Sequence, residues 1–196
     1  MKDQKVILAS NSPRRRELLH QIGIQPEVIP SQIEELTTSQ LPEEIVVELS
    51  LKKAEDVADR TLESALIIGA DTIVAVDGMI LGKPKSHEDA YKMVKRIQGR
   101  SHEVYTGVTL IYKEKGRSRG RSFVEKTEVS VYSMTEKEIK SYTDSKEPMD
   151  KAGAYGIQGV FAAYIEGIHG DYNNVVGLPI GRVYQEWKKL MADEEN

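Results

Sequence analysis

Short β-branched runs alternate along this chain with stretches of helical period, and that alternation restricts it to an α/β or α+β domain. Lys5 to Ala9 reads as a strand. Ser12 and Pro13 then open a helix through Gln21: serine is a favoured N-cap, proline suits the first helical position, and Gly23 follows the end. A second strand falls around Glu27 to Ile29. From Pro42 to about Arg60 a long helix carries Val47, Leu51, Ala54 and Ala58 on one apolar stripe, with Lys53 on a stripe beside Val46, Leu49 and Val57. Ala65 to Val76 reads as a strand region broken at Gly69-Ala70-Asp71-Thr72, and Asp77-Gly78 as a tight hairpin turn into Met79 to Leu81. Ser86 caps a helix to about Gln98 that Gly99 ends, with Ala90, Met93, Val94 and Ile97 inward. Val104 to Tyr112 and Ser122 to Tyr132 read as strands around a basic loop, Lys113 to Arg121. Thr135 with Glu138 forms a capping box. Pro148 to Gly159 fits neither period and reads as a functional loop. A strand over Val160 to Ile165 follows, and Pro179 starts a terminal helix carrying Val183, Trp187 and Leu190.

At 196 residues the chain buries a real core, as one domain or as two small lobes. It holds no cysteine, so any metal sits on oxygen or imidazole, the hard-cation chemistry of Mg²⁺ or Mn²⁺. The opening residues MKDQKVILASNSP are too polar for a signal peptide and no apolar run approaches membrane length, which points to a soluble, cytoplasmic protein. A net charge of −4, spread along the chain, argues against stable nucleic-acid or membrane-surface binding. Any anion must be caught by a local cluster of Lys and Arg.

Such a cluster exists. Arg14, Arg15 and Arg16 fall in the first turn of a helix, where cations oppose the macrodipole. A bound polyphosphate justifies that placement, because first-turn N–H groups and guanidinium forks both favour an anion there. Arg16 is the best fit to plain surface. Asp71, after the apolar run Ala65 to Ile68, suits a metal ligand or a general base at a strand end, or simply a turn aspartate capping its own backbone. Lys53 faces a core edge or a cleft. Lys83 in Leu81-Gly82-Lys83-Pro84 and Lys151 in Asp150-Lys151-Ala152-Gly153 each fit surface charges when taken singly, and the pair Glu34-Glu35, in a loop after the second strand, fits a metal ligand or solvated charge. In the Gly-rich stretch Asp150 to Gly159 the backbone can approach a ligand closely, and Gln158 offers a donor and an acceptor suited to a base edge. The four histidines show no ligand spacing, and no Ser-His-Asp set or Walker-type loop occurs.

The segments VILASNSPRRRELL, IEELT, KKAEDVA, IIGADTIV, LGKP, EPMDKAGAYGIQG and VVGLPI, in that order, resemble the Maf family over nearly the whole length. The resemblance implies a single domain over residues 1–196: an elongated mixed sheet flanked by helices, two lobes with a central cleft, similar to the inosine triphosphate pyrophosphatase fold. It implies hydrolysis of a nucleoside triphosphate between its α- and β-phosphates with Mg²⁺ or Mn²⁺. Residue by residue, it makes Asp71 the general base and a metal partner and Glu35 a second metal partner. Arg14, Arg15, Lys53 and Lys83 would hold the triphosphate, with Ser10 donating to it and Lys151 beside them. Arg14, Thr72 and Gln158 would bear on substrate choice. DKAGAYGIQG looks like the branch acting on dTTP and UTP, with CTP and modified pyrimidine nucleotides as lesser substrates, a house-cleaning role with a link to septum formation. The rivals are a 7-methyl-GTP pyrophosphatase and a non-catalytic nucleotide-binding septum regulator. The oligomeric state is open, a homodimer included.

Overall fold

The computed structural model of the protein describes residues 4–114 and 116–192. Among them lie seven strands: β1 (Val6–Leu8), β2 (Glu27–Val28), β3 (Ala65–Val76), β4 (Met79–Leu81), β5 (Ser101–Glu114), β6 (Arg117–Val131) and β7 (Ile165–His169). Their order in the sheet is β2-β1-β3-β5-β6-β7, with β4 paired to β3 off that path. Parallel β1–β2 and β1–β3 pairs combine with antiparallel β3–β4 and β6–β7 pairs, so the sheet is mixed as expected. The helices are α1 (Pro13–Gln21), α2 (Pro42–Arg60), α3 (His87–Ile97), α4 (Glu136–Thr143), α5 (Tyr172–Val176) and α6 (Ile180–Ala192). Two compact units divide the chain. The first comprises Met1–Asp71, Thr106–Glu125 and Gly177–Asn196; the second comprises Thr72–Tyr105 and Lys126–Val176.

In the first unit β1 is buried at every position, the pattern of a parallel strand covered on both faces. Its core joins Ile7 and Ala9 to Ala54, Val57, Ala65 and Ile67. Here the structure corrects the sequence reading: β3 runs unbroken through Gly69, Ala70, Asp71 and Thr72. Gly69 marks a close approach instead of a break. A Cβ there would stand 2.3 Å from the Ser50 carbonyl oxygen and 2.8 Å from the Ala54 Cβ, so α2 lies directly on the strand. Gly107 of β5 admits the same helix, a Cβ there falling 2.1 Å from the Val46 carbonyl oxygen. This contact also reorders the helix's inner face. Small Ser50 and Ala54 are fully buried against the strands, whereas Val47 and Leu51, expected inside, are half-buried at its flank. Asp71 shares the face of Gly69, since strand side chains alternate. It is therefore a mid-strand residue facing α2, and the expected strand end is absent there.

In the second unit β3 and β4 turn tightly at Asp77 (φ 51°) and Gly78 (φ 72°), with Val76 opposite Met79. Positive φ at both turn residues is what a two-residue hairpin of matching twist demands. Ser86 caps α3 by accepting from the Asp89 N–H, and the Thr135–Glu138 capping box is present. Two readings need correction. The basic segment Lys113 to Arg121, which belongs to the first unit, is mostly strand, because β5 continues to Glu114 and β6 starts at Arg117; Lys115 lies outside the described residues. Outward arginines are tolerated on such a ladder, and the Arg119 guanidinium stacks 5.1 Å from the Tyr112 ring. Val160–Tyr164 is a 3₁₀ turn, and strand begins only at Ile165. Phe161 alone is buried there, against the rings of Tyr142, Tyr155 and Tyr164, while Val160, Ala162 and Ala163 face out. One anchor per turn satisfies no period of two.

Candidate active site

In the first unit the basic turn separates into three different environments. Arg16 is exposed, Arg14 half-buried, and Arg15 buried at 9% exposure. Arg15 donates through Nη1 to the Ser10 hydroxyl at 3.0 Å and to the Ala70 carbonyl at 2.9 Å, and through Nε to the Gly177 carbonyl at 2.9 Å. It thus ties α1 to β3 and to the chain just before α6, while keeping Ser10 in place. Burial pulls its pKa down, and the Asp71 charge opposes that; a guanidinium retains its proton regardless.

Lys53 projects from α2 at the Gly69 contact. Its ammonium donates to Asp71 Oδ1 at 2.6 Å and pairs with Glu35 Oε1 at 2.6 Å. Lys53 and Asp71 are each 8% exposed, whereas Glu35 is exposed. A buried pair of this kind is costly to break, because removing either partner leaves the other charge in a poor solvent.

Glu35 reaches this place by a device that sequence reasoning missed. Glu48, Lys52, Asp56 and Arg60 succeed one another at four-residue spacing along α2 and strap down the irregular segment after β2. Glu48 accepts from the Thr37 hydroxyl at 2.6 Å, the Ser39 hydroxyl at 2.9 Å and Lys52 at 2.6 Å. Lys52 donates to the Leu36 carbonyl, Asp56 accepts from the Gln32 N–H, and Arg60 donates to the Pro30 carbonyl. Lys52 and then the two hydroxyls hold the Glu48 carboxyl down at about 2. The strap's contribution is therefore complete above the ordinary glutamate range and fades only as pH falls from there through that value. A regular i, i+4 alternation of charge was the available signal.

The two carboxylates suit a hard cation. Glu35 and Asp71 each aim one oxygen at the same ammonium, and Mg²⁺ is commonly held by one or two carboxylates with phosphate oxygens and water completing its shell. Among the described residues no group of three or more His, Asp or Glu side chains could hold a metal. Two carboxylates leave the remainder of such a cation's shell to phosphate oxygens and water.

In the second unit Thr72 is half-buried on β3, and Lys83 is exposed after β4. The Gly153 N–H donates to the Gly82 carbonyl at 3.0 Å, so the Lys83 loop and the Gly-rich stretch are bound together. Gly153 (φ 67°) and Ala154 (φ 59°) are consecutive left-handed residues, and a Cβ on Gly153 would stand 2.9 Å from a Val74 methyl. Lys151 donates to the Glu147 carbonyl at 2.5 Å and to Asp150 Oδ1 at 2.6 Å, its stem filling the space a Gly156 side chain would need. Its ammonium pins the loop. Gln158 is exposed. The same loop is anchored by Tyr155, whose hydroxyl lies 2.7 Å from Nε2 of buried His102 on β5. Burial drops the His102 pKa to about 4, so the imidazole is neutral near pH 7. A histidine with no ligand spacing in sequence is thus a structural anchor for the loop.

Seven strands in a mixed sheet with six helices, among the described residues, make this an α/β protein, and its first unit sets arginines at a helix start and a lysine between two carboxylates. The chain belongs to the Maf-like protein family, whose profile matches residues 5–190. It is 52% identical over 202 residues to a dTTP/UTP pyrophosphatase of Agathobacter rectalis, covering 96% of this chain and 98% of that one. It is likewise 52% identical over 190 residues to a dTTP/UTP pyrophosphatase of Lachnoclostridium phytofermentans, covering 96% of each. A solved structure of a HAM1 protein from Coxiella burnetii overlays 65% of this chain and 73% of its own at a TM-score of 0.45 and 18% identity. No helix among the described residues is long and apolar enough to cross a membrane.

Proposed function

We propose that the protein is a nucleoside triphosphate pyrophosphatase that hydrolyses dTTP and UTP to the monophosphate and pyrophosphate, acting on the cytoplasmic nucleotide pool. What carries this reading is 52% identity across 96% of the chain to proteins of that name. The site chemistry supports it. Hydrolysis of a phosphoanhydride needs neutralised charge and an aligned water more than a covalent nucleophile, and the first unit supplies cations and carboxylates.

Asp71 is the proposed general base, held at a fixed position in β3 and able to accept a proton from a water beside the α-phosphate. Arg14 and Lys53 hold phosphate oxygens, and Lys83 is assigned the same task. Arg15 keeps Ser10 and the β3 backbone in place while lending its charge, and the Ser10 hydroxyl donates to the substrate. Glu35 and Asp71 are the residues that would hold Mg²⁺ or Mn²⁺, which when bound neutralises phosphate charge. Thr72 and Gln158 are assigned to the choice of base, with Lys151 shaping the loop that carries Gln158.

The test is pyrophosphate release from UTP, dTTP, CTP and 7-methyl-GTP at saturating Mg²⁺. UTP and dTTP should exceed 7-methyl-GTP by about tenfold or more in kcat/KM, since a site built for one base edge leaves polar groups unpaired with another. A preference for 7-methyl-GTP moves the protein to the sibling activity, and nucleotide binding with no pyrophosphate released makes it a binding module.

Arg14 and Arg16 separate the roles of the basic turn. Arg14→Ala should lower kcat/KM for UTP by about tenfold or more, since charged hydrogen bonds to phosphate are among the stronger ones. Its thermal midpoint should be unchanged or slightly higher, because a cation leaves the positive end of α1. Arg16→Ala should leave kcat/KM near wild type. Wild-type kinetics in both variants would make Arg14, like Arg16, ordinary surface.

A further inference from the structure

The geometry points to Lys53 as an exchangeable counter-ion, whose ammonium competes with a divalent cation for Glu35 and Asp71 and moves to phosphate when displaced. The inference rests on the reading of these two carboxylates as the metal-holding pair. The ammonium lies 2.6 Å from an oxygen of each carboxylate. Magnesium binds oxygen at about 2.0–2.1 Å, so an ion on either of these oxygens comes within about 5 Å of Nζ wherever around them it settles. Two positive charges that close, in a site where Lys53 and Asp71 are each 8% exposed, repel strongly. Lys53 therefore yields one or both carboxylates whenever a divalent ion is held there.

The surroundings permit that movement. The Lys53 backbone is fixed by the packing of α2 on Gly69, but a four-carbon stem with rotatable bonds lets the ammonium swing without moving the helix. Glu35, the exposed partner, sits on a segment held through Glu48, Lys52, Asp56 and Arg60, so the carboxylate pair persists when Lys53 lets go. A lysine released from carboxylates is a strong donor for phosphate oxygens. Cation and triphosphate then bind cooperatively, and in the absence of nucleotide the apparent metal affinity is lowered by the fraction of time Lys53 holds the carboxylates.

This exchange has a sign that a supporting role for Lys53 lacks. A lysine that merely braced the carboxylates would, on removal, weaken metal binding; a competitor, on removal, strengthens it. The experiment is calorimetric titration of wild type, Lys53→Gln and Lys53→Arg with Mn²⁺ alone, and thermal midpoints of all three in chelator and in saturating Mn²⁺. Lys53→Gln should bind Mn²⁺ about tenfold or more tighter than wild type. Its midpoint should be the lowest of the three in chelator and gain the most from Mn²⁺, whereas Lys53→Arg, which keeps the charge, should bind no better than wild type. Equal or weaker Mn²⁺ binding by Lys53→Gln overturns the exchange and leaves the metal pair standing. If none of the three binds Mn²⁺, even with UTP present, the metal reading itself falls. Should Lys53→Gln prove unfolded with and without Mn²⁺, Lys53→Arg decides alone, and tighter Mn²⁺ binding than wild type in that variant overturns the exchange.

Discussion

Asp71→Asn is expected to lower pyrophosphate release from UTP and dTTP by about 10²-fold or more in a protein that remains folded. The substitution keeps the shape of the side chain and removes its charge and basicity. Loss of a positioned base alone is worth about that factor, and loss of a metal oxygen adds to it. The fold should tolerate the change for reasons visible around it. The carboxylate is 8% exposed, yet an amide oxygen still accepts from Lys53, whose second partner Glu35 continues to neutralise it. The strand continues on both sides of position 71, buried at Ala70 and half-buried at Thr72, so no local opening is required. The measurements are kcat/KM for both nucleotides and the thermal midpoint. Near-wild-type turnover in a folded Asp71→Asn protein would remove the base assignment outright.

Which parts of this arrangement were legible in the sequence follows from how far apart the interacting residues lie. Caps and tight turns are local, and they read correctly: Ser12 accepts from the Arg15 N–H, Thr135 and Glu138 close a box, and Asp77-Gly78 makes the hairpin. The boundaries of α2 fell where Pro42 and Arg60 put them. The family resemblance drew Lys53, Asp71 and Glu35 together by name, although periodicity alone left each of them open to a plain surface or core-edge explanation. What no local signal carried was the meaning of Gly69. In a window of a dozen residues a glycine beside Asp-Thr looks like a break; only the carbonyl of Ser50, nineteen positions earlier in the chain, shows that it is a seat for a helix. The strap from Glu48 to Arg60 shows locally only as an i, i+4 alternation of charge, because its acceptors and donors lie across a segment without regular structure. Position Val160 failed for another reason. Its run of apolar residues fits a strand by composition, while burial of Phe161 alone fits a 3₁₀ turn.

Gly69→Ala should reduce both stability and activity. The added methyl would meet the Ser50 carbonyl oxygen at 2.3 Å, the Ala54 Cβ at 2.8 Å and the Ala54 nitrogen at 2.8 Å. Two of those three atoms are backbone, so no side chain can rotate away and α2 itself must move off β3. Overpacking of a tight core contact costs about 1–3 kcal/mol, and for a chain of this size each kcal/mol lowers the thermal midpoint by about 2–4 °C. A fall of several degrees is therefore expected. The effect on activity follows from geometry: Lys53 is the residue before Ala54, and Asp71 faces the same helix two residues beyond Gly69. A displacement of α2 moves the Lys53 backbone away from β3 and strains the 2.6 Å contact between Lys53 and Asp71 and the one to Glu35. Gly181→Ala provides the contrast, since a Cβ there meets nothing within 4 Å and lies in α6, where alanine is the better helix former by up to about 1 kcal/mol. Its midpoint should be level or higher and its turnover intact. If Gly69→Ala melts within a degree of wild type and hydrolyses UTP normally, the close seating of α2 on β3 does not position the site, and the Lys53–Asp71 contact must be held by something else.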